Sequence, residues 1–463
     1  MLLFFAFTVQ FIRLIYVDVG TDYISVLVSI CIVVISTLIF FFYKEVYSEG
    51  QGQVFRISYI FILGFLIVHF QMYVDYLLGN YGNFRYDYFL SGENVNKAVI
   101  ISSLGLLSFF IGYIFSIKQE ILKYESVIAH GNSVNFLKFI AFLFFIAFFI
   151  MANKDYFHGG YGAVELSPIA THTQTFLIYA IIGVIALKSY EFKVSNKNFN
   201  VINYIKSIGY PFNVLVFIYL VLVLTSGDRG PVIQIGLCYM GGYVFTQNKK
   251  LKLISISILV FSSATFITLL GEVRALSEGA TLEEIIEGVN YQSDLRESQS
   301  SFSPKTHELA ISVRTVHAAI DYVDENGLKY GLIQLNQLMA IIPGFGRIVR
   351  GVFELDGSQL LSADIITLQL DATHGMGTST VTDLYIDLAV PGVIVGLFFF
   401  GVILRRVDIA TFLPYTTSFF FWLIVFVLLS KSIYIGRSSI MILLREVLTI
   451  YFLIFVGCIG KRR

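Results

Sequence analysis

Charge is scarce in this chain. Only 14% of its 463 residues are Asp, Glu, Lys or Arg, against roughly 25% in an average soluble domain, and the deficit excludes a water-soluble surface of ordinary composition. A single soluble core stops growing near ~250 to 300 residues and still needs polar cover. Neither sign is in excess: 32 Lys and Arg balance 32 Asp and Glu, so net charge points to neither nucleic acid nor an acidic partner. The three cysteines, Cys31, Cys238 and Cys458, all fall within apolar runs and are expected to be small core hydrophobes rather than a disulfide frame or metal cluster. There is no P-loop, no Gly-rich dinucleotide fingerprint, no repeat at a fixed period and no low-complexity stretch. The start, MLLFFAFTVQFIRLIYVDVG, lacks a basic stretch before its apolar run and an A-x-A-like end, so a retained helix is expected there and not a cleaved signal.

What the chain has instead is hydrophobic length. Residues of the AVILMFWYC set make up 56% of it, in recurring runs as long as a ~30 Å hydrocarbon slab requires. Twelve spans are expected, at about 1-17, 23-43, 57-79, 98-117, 136-151, 169-187, 211-225, 232-246, 253-271, 384-404, 412-430 and 440-460. The chain therefore reads as an all-α polytopic membrane protein with nine spans in 1-271, a long loop over 272-381 and three spans in 382-463. Connector charges set the orientation. One side carries seventeen Lys and Arg, among them Lys44, Arg56, Lys193, Lys249, Arg405 and Arg463, and the short connectors of the other carry six: Arg85, Lys97, Lys154, Arg229, Lys431 and Arg437. By the positive-inside rule both termini are cytoplasmic and the long loop is external.

Within that loop 281-291 and 307-327 read as amphipathic helices, the second stopped by Asn326-Gly327. The apolar stretch 331-351 is interrupted by Pro343, Gly344 and Gly346, which suits a segment on or dipping into the membrane surface.

The external face offers a set of arginines: Arg229 in TSGDRGP (225-231), Arg274 in GEVR, Arg314, Arg347 and Arg350 in the loop, and Arg437 in YIGRSS (434-439). Converging guanidinium groups suit a polyanion, because the planar fork binds phosphate bidentately and stays charged; close to a membrane that anion is a pyrophosphate. Arg229 and Arg437 equally suit structural roles in short turns, Arg229 beside Asp228, and Arg274 suits snorkelling. Arg445, with Glu446, lies inside the last span, where a charge needs an interior partner or a substrate. His374 sits in THGMGTST (373-380), between glycines that permit close backbone approach to a ligand, although a lone loop His is also commonly just solvated. Asp383 and Asp387, at i and i+4, share a helix face at the membrane entrance. The acidic DYVDEN (321-326) reads as a solvated helix end more readily than as a metal site.

The SGDRGP turn, the HGMGTSTVTDLYIDLAVPGVIVGLFFFG run and one long external loop before the last three spans resemble bacterial oligosaccharide repeat-unit polymerases, the Wzy-type O-antigen and capsule polymerases. The likeness covers most of the chain as topology and about fifty residues as motif. The resemblance implies a GT-C-like helical bundle acting as a glycosyltransferase without metal, nucleotide or other cofactor. It implies that a growing glycan moves from undecaprenyl pyrophosphate to a second lipid-linked repeat unit, with membrane lipid, a chain-length regulator and a flippase as associates. It further implies that Arg229, Arg274 and Arg437 hold the pyrophosphate, with Arg314, Arg347, Arg350 and Arg445 as further candidates, and that His374, Glu272, Asp383 or Asp387 takes the acceptor proton. An O-antigen ligase differs only in its acceptor. A lipid-linked sugar flippase is the rival from another class, disfavoured by the absence of repeated halves and broken midplane helices, and a non-catalytic scaffold in polysaccharide assembly is the third reading.

Overall fold

The computed structural model describes residues 1–463 apart from 18–19, 44–54, 80–93, 117–130, 159–165, 196–199, 227, 248–305, 342–344, 346–347, 349–350, 352–359, 373–374, 413–417 and 460–463. The described residues form helices and no strand. In chain order these are α1 (Leu2–Ile15), α2 (Tyr23–Phe42), α3 (Ile57–Leu77), α4 (Val95–Phe115), α5 (Gly131–Met151), α6 (Pro168–Ser195), α7 (Val201–Ile208), α8 (Tyr210–Ser226), α9 (Gly230–Gln247), α10 (Arg314–Asn326), α11 (Leu332–Met339), α12 (Ser362–Gln369), α13 (Thr380–Phe412), α14 (Phe419–Lys431) and α15 (Met441–Ile459). Eleven of the twelve expected spans coincide with these helices, and the remaining one, 253-271, lies outside the described residues. Among the described residues, seven helices are long and apolar enough to cross a membrane, or eight with the pair α7 and α8, which is bent by 95°. The protein is thus an all-helical, multi-pass membrane protein.

The bundle is built around α4, whose residues are almost all buried. It runs beside α13, and glycines set their separation: Gly112 faces the Phe398 carbonyl and Gly401 the Phe109 carbonyl, leaving no room for a side chain at either place. Small residues at helix crossings allow this backbone-to-backbone approach, the main source of packing where lipid removes the hydrophobic drive between helices. Aromatic rings fill the adjoining space, with Phe61 of α3 against Phe109 of α4 at 4.8 Å and Phe400 of α13 at 5.0 Å. Arg13, an anomaly in the first apolar run, is satisfied between α1 and α2. Its guanidinium donates to Gln10 Oε1 at 2.8 Å, Ser29 Oγ at 3.0 Å and Ser25 Oγ at 2.9 Å.

One end of the bundle carries α10, α11 and α12 and is called here the loop face. At the opposite, far face Lys193, near the end of α6, donates to the Phe245 carbonyl in the last turn of α9 at 2.9 Å. In the same layer Asp408 of α13 accepts from the Ile57 amide at 3.0 Å, from the Tyr113 hydroxyl at 2.8 Å and from Ser58. Arg56 lies over the rings of Tyr59 and Phe412, and Arg405 over Tyr113.

Two features depart from simple spans. First, α13 breaks at Leu388 and Ala389, where Ala389 has φ +52, two residues before Pro391. The segment before the break folds back, so that Leu384 packs on Gly392 and Gly396. Second, α14 is only 13 residues long, and its connection to α15 runs inside the bundle. The Ile433 carbonyl packs on Gly64 and Gly436 packs on Phe65, eight and nine residues into the 21-residue α3. The expectation of an end-of-bundle connector around Arg437 is therefore corrected: glycines on both strands of chain let this turn enter between helices.

Candidate functional site

The loop-face site begins with α10. It follows His307–Ala310 and a 3-10 turn at Ile311–Val313, and it stops where Gly327 takes φ +79, at the expected Asn-Gly signal. Residues 314, 317, 321 and 324 recur at three- and four-residue intervals and so form one stripe. The first meets the loop before α13 and the other three meet the bundle: Arg314 Nη2 lies 3.3 Å from Met376 Sδ, His317 Nε2 is 2.9 Å from the Tyr73 hydroxyl, Asn94 donates to Asp321 at 2.5 Å, and Lys97 pairs with Asp324 at 3.3 Å. Thr315 and Thr382 join hydroxyls at 2.8 Å. The DYVDEN carboxylates at 321 and 324 thus anchor α10 to α4. Burial pushes the His317 imidazole down to about 3, which keeps it neutral and disqualifies it as a proton acceptor near neutral pH.

Under Arg314 runs the Gly-rich loop. Gly377 takes φ +73, and the Met376 amide is held by Thr367 Oγ1 at 3.0 Å. Ser379 then caps α13 by accepting from the Thr382 amide at 3.1 Å, and Thr380 donates to the carbonyls of Ile435 at 2.5 Å and Ser438 at 2.8 Å. This bond couples the start of α13 to the inserted turn that carries Arg437.

The two aspartates expected as proton acceptors are both engaged. Asp387 accepts from the amides of Ile333 and Gln334 at 3.0 Å each, satisfying the otherwise unpaired N-terminal amides of α11. Asp383, 1% exposed, accepts from Ser362, from Thr378 at 3.3 Å and from Gln334 Nε2 at 3.4 Å, tying α11 and α12 to α13.

A second group lies among α6, α9, α14 and α15. In the α8–α9 turn Asp228 accepts from the Gly230 amide at 3.0 Å and from Gln174 Nε2 at 3.5 Å. The carboxylate shapes the turn and does not pair with Arg229, whose half-buried guanidinium has no hydrogen-bond or ion-pair partner among the described residues. Lys431, which ends α14, pairs with Glu446 of α15 at 3.2 Å, and the Tyr179 hydroxyl lies beside both Glu446 and half-buried Arg445.

Of the residues singled out from sequence, Arg229, Arg314, Arg437, Arg445, Asp383 and Asp387 are therefore placed at or toward the loop face, in two groups linked by the 431–441 connection. His374, Glu272, Arg274, Arg347 and Arg350 lie outside the described residues. Lys431 and Tyr179 escaped the sequence reading: the first counted only as a topology charge, and the second carried no signal in an apolar run. No three His, Cys, Asp or Glu side chains gather into a metal site among the described residues.

Fold and site together define a multi-pass membrane protein whose half-open cations and carboxylates gather in the loop-face half of a helical bundle. The family model for O-antigen polysaccharide polymerase Wzy matches residues 1–462, and the chain belongs to that family. No curated relative and no solved structure matches it. Its role is accordingly that of a polysaccharide polymerase acting on lipid-linked repeat units in the membrane.

Proposed function

We propose that the loop face is the external face of the cytoplasmic membrane, with both termini inside. There the chain transfers a growing glycan from undecaprenyl pyrophosphate to the sugar of a second lipid-linked repeat unit, in a GT-C-like bundle of about twelve spans. The tally of seventeen basic connector residues against six supports the orientation. An external reaction has no nucleotide pool, so the leaving pyrophosphate supplies the driving force.

As the bond from the anomeric carbon to the pyrophosphate oxygen breaks, negative charge grows on the leaving group. Fixed guanidinium groups stabilise that growth, each such preorganised contact contributing ~2.7 to 4 kcal/mol. Arg229, Arg314, Arg437 and Arg445 are the described candidates for this work, which asks for no metal. The observation that carries the reading is Arg229: a half-buried cation between two apolar helices, beside a carboxylate engaged elsewhere. An ion so placed faces the protein interior or a substrate path, and a lipid-borne pyrophosphate has both the charge and the depth to meet it.

The deciding experiment is the glycan profile of a deletion strain. Loss of long chains with single repeat units still reaching the surface is the expected result. Complete loss of surface glycan with lipid-linked units trapped inside would instead make the chain a flippase. Long chains that accumulate on the lipid without reaching their final acceptor would make it a ligase.

A further inference from the structure

Hydrogen-bond accounting separates the carboxylates of the loop-face half. Asp387 has both oxygens on backbone amides, Asp383 is ringed by side-chain donors, and Asp228 is bound to Gly230 and Gln174. Glu446 differs. It is 2% exposed, Lys431 holds its Oε1 at 3.2 Å, the Tyr179 hydroxyl lies beside the carboxylate, and its Oε2 has no partner in hydrogen-bond geometry among the described residues. A buried acceptor left unsatisfied costs ~1 to 3 kcal/mol, and more when it is charged, whereas a leucine there would cost nothing of the kind. Gln234 on α9 presents a second buried oxygen without a donor among the described residues.

Gln234 lies on the helix that Arg229 immediately precedes, and Glu446 on the one that carries Arg445. Unsatisfied acceptors beside half-open cations match a ligand that donates hydroxyls and carries phosphate, and a lipid-linked sugar is such a ligand. The Lys431 side chain, 24% exposed, leaves the ion pair open on one side.

We propose that Glu446 Oε2 takes the proton of the attacking acceptor hydroxyl, with Lys431 as its positioning residue. The proposal rests on the polymerase reading above. The acceptor oxygen forms the new bond to the donor's anomeric carbon while its proton passes to Oε2. The old bond to pyrophosphate breaks, its electron pair leaving with the phosphate oxygen, and the carboxylic acid later returns its proton to water.

The test uses the full-length chain in a strain lacking its own copy. Glycan length distribution is read at matched membrane levels on the cell's own lipid-linked pool, together with melting of the purified variants. Glu446→Gln is expected to slow chain growth ~10²- to 10⁴-fold, the usual contribution of a general base. Lys431→Met with Glu446→Gln removes both charges at once, which relieves a purely structural pair. If Glu446 is catalytic, this double variant melts normally and stays inactive. Recovery of chain growth in it, or full activity of Glu446→Gln, overturns the proposal. Should the double variant also melt early, Lys431→Met alone decides: partial activity supports a base still present, and a loss equal to that of Glu446→Gln overturns it. Arg229→Lys is run alongside, because an active Glu446→Gln beside an inactive Arg229→Lys removes only the base, whereas long chains in the deletion strain remove the polymerase reading itself.

Discussion

The two ends of this bundle use the same residue types to opposite effect. At the far face Arg56, Arg405 and Asp408 are each 1% exposed; the carboxylate accepts from three donors, and the guanidinium groups lie on aromatic rings. In the loop-face half Arg229, Arg314, Arg437 and Arg445 are only half buried, and Glu446 keeps a donor-free oxygen. A deeply buried polar network rigidifies a fold because breaking it exposes a charge to low dielectric. Half-buried cations beside a spare buried acceptor leave room for a ligand. On the polymerase reading proposed above, the difference puts structure at one end and chemistry at the other, although both ends are rich in arginine.

The comparison breaks most visibly at Asp408. Asp408→Ala removes the carboxylate that opposes buried Arg56 and that Ser58, Tyr113 and the Ile57 amide donate to, and loss of one member of such a buried set costs ~3 to 5 kcal/mol. The expected outcome is low membrane abundance and early melting of the purified chain. Normal melting would mean that the far-face ring does not hold α3, α4 and α13 together.

At the loop face the next largest effect falls on activity and spares the fold. Arg229→Lys keeps the charge and loses the planar fork, so chain growth should fall ~10²- to 10³-fold, nearly as far as in Arg229→Ala, with unchanged melting. A fully active lysine variant would move the pyrophosphate assignment to Arg437 and Arg274.

The spans were legible because hydrophobic length is a local property: α2 at Tyr23–Phe42 and α15 at Met441–Ile459 match expectation to within about a residue. The helix stop at Gly327 was legible as well, since an Asn-Gly pair marks it without help from the fold. What was not legible depends on contacts across hundreds of residues. The depth of Arg437 follows from Gly64 and Gly436 meeting, and neither glycine announces its partner. The capping role of Asp387 needs α11 delivered to it, and the Asp408 ring needs α3 beside α13. Sequence singled out cations that fall toward one end of the bundle but could not tell which were paired.

A smaller effect is expected at the seam where α10 docks. His317 is buried against Tyr73 and its imidazole is pushed down to about 3, against ~6.5 in an unfolded chain. Between these values the unfolded chain binds a proton that the folded one does not, so stability falls as the pH falls. The slope of ~1.4 kcal/mol per pH unit gives ~2 kcal/mol lost from pH 6.5 to 5. Melting of the purified chain should drop over that interval, and His317→Gln should flatten the drop. An identical pH dependence in the variant would show that this histidine is not the group being titrated.

The smallest effect tests the division at its least obvious point, because Asp387 lies at the loop face and is assigned to structure. Both its oxygens accept backbone amides at the start of α11, and the neighbouring chain is pinned as well, with the Tyr330 amide donating to the Asp387 carbonyl at 2.9 Å. Loss of a side-chain helix cap costs ~1 kcal/mol, within a range of about 0.5 to 2. Asp387→Ala should therefore melt slightly early and retain most chain growth, since the backbone bond at Tyr330 survives the substitution. A proton acceptor would behave in the opposite way, with near-normal melting and a rate reduced ~10²-fold or more. Glycan length set against melting for this one variant distinguishes a clamp from a base, and a collapse of chain length at normal stability would place Asp387 beside Glu446 on the chemical side of the molecule.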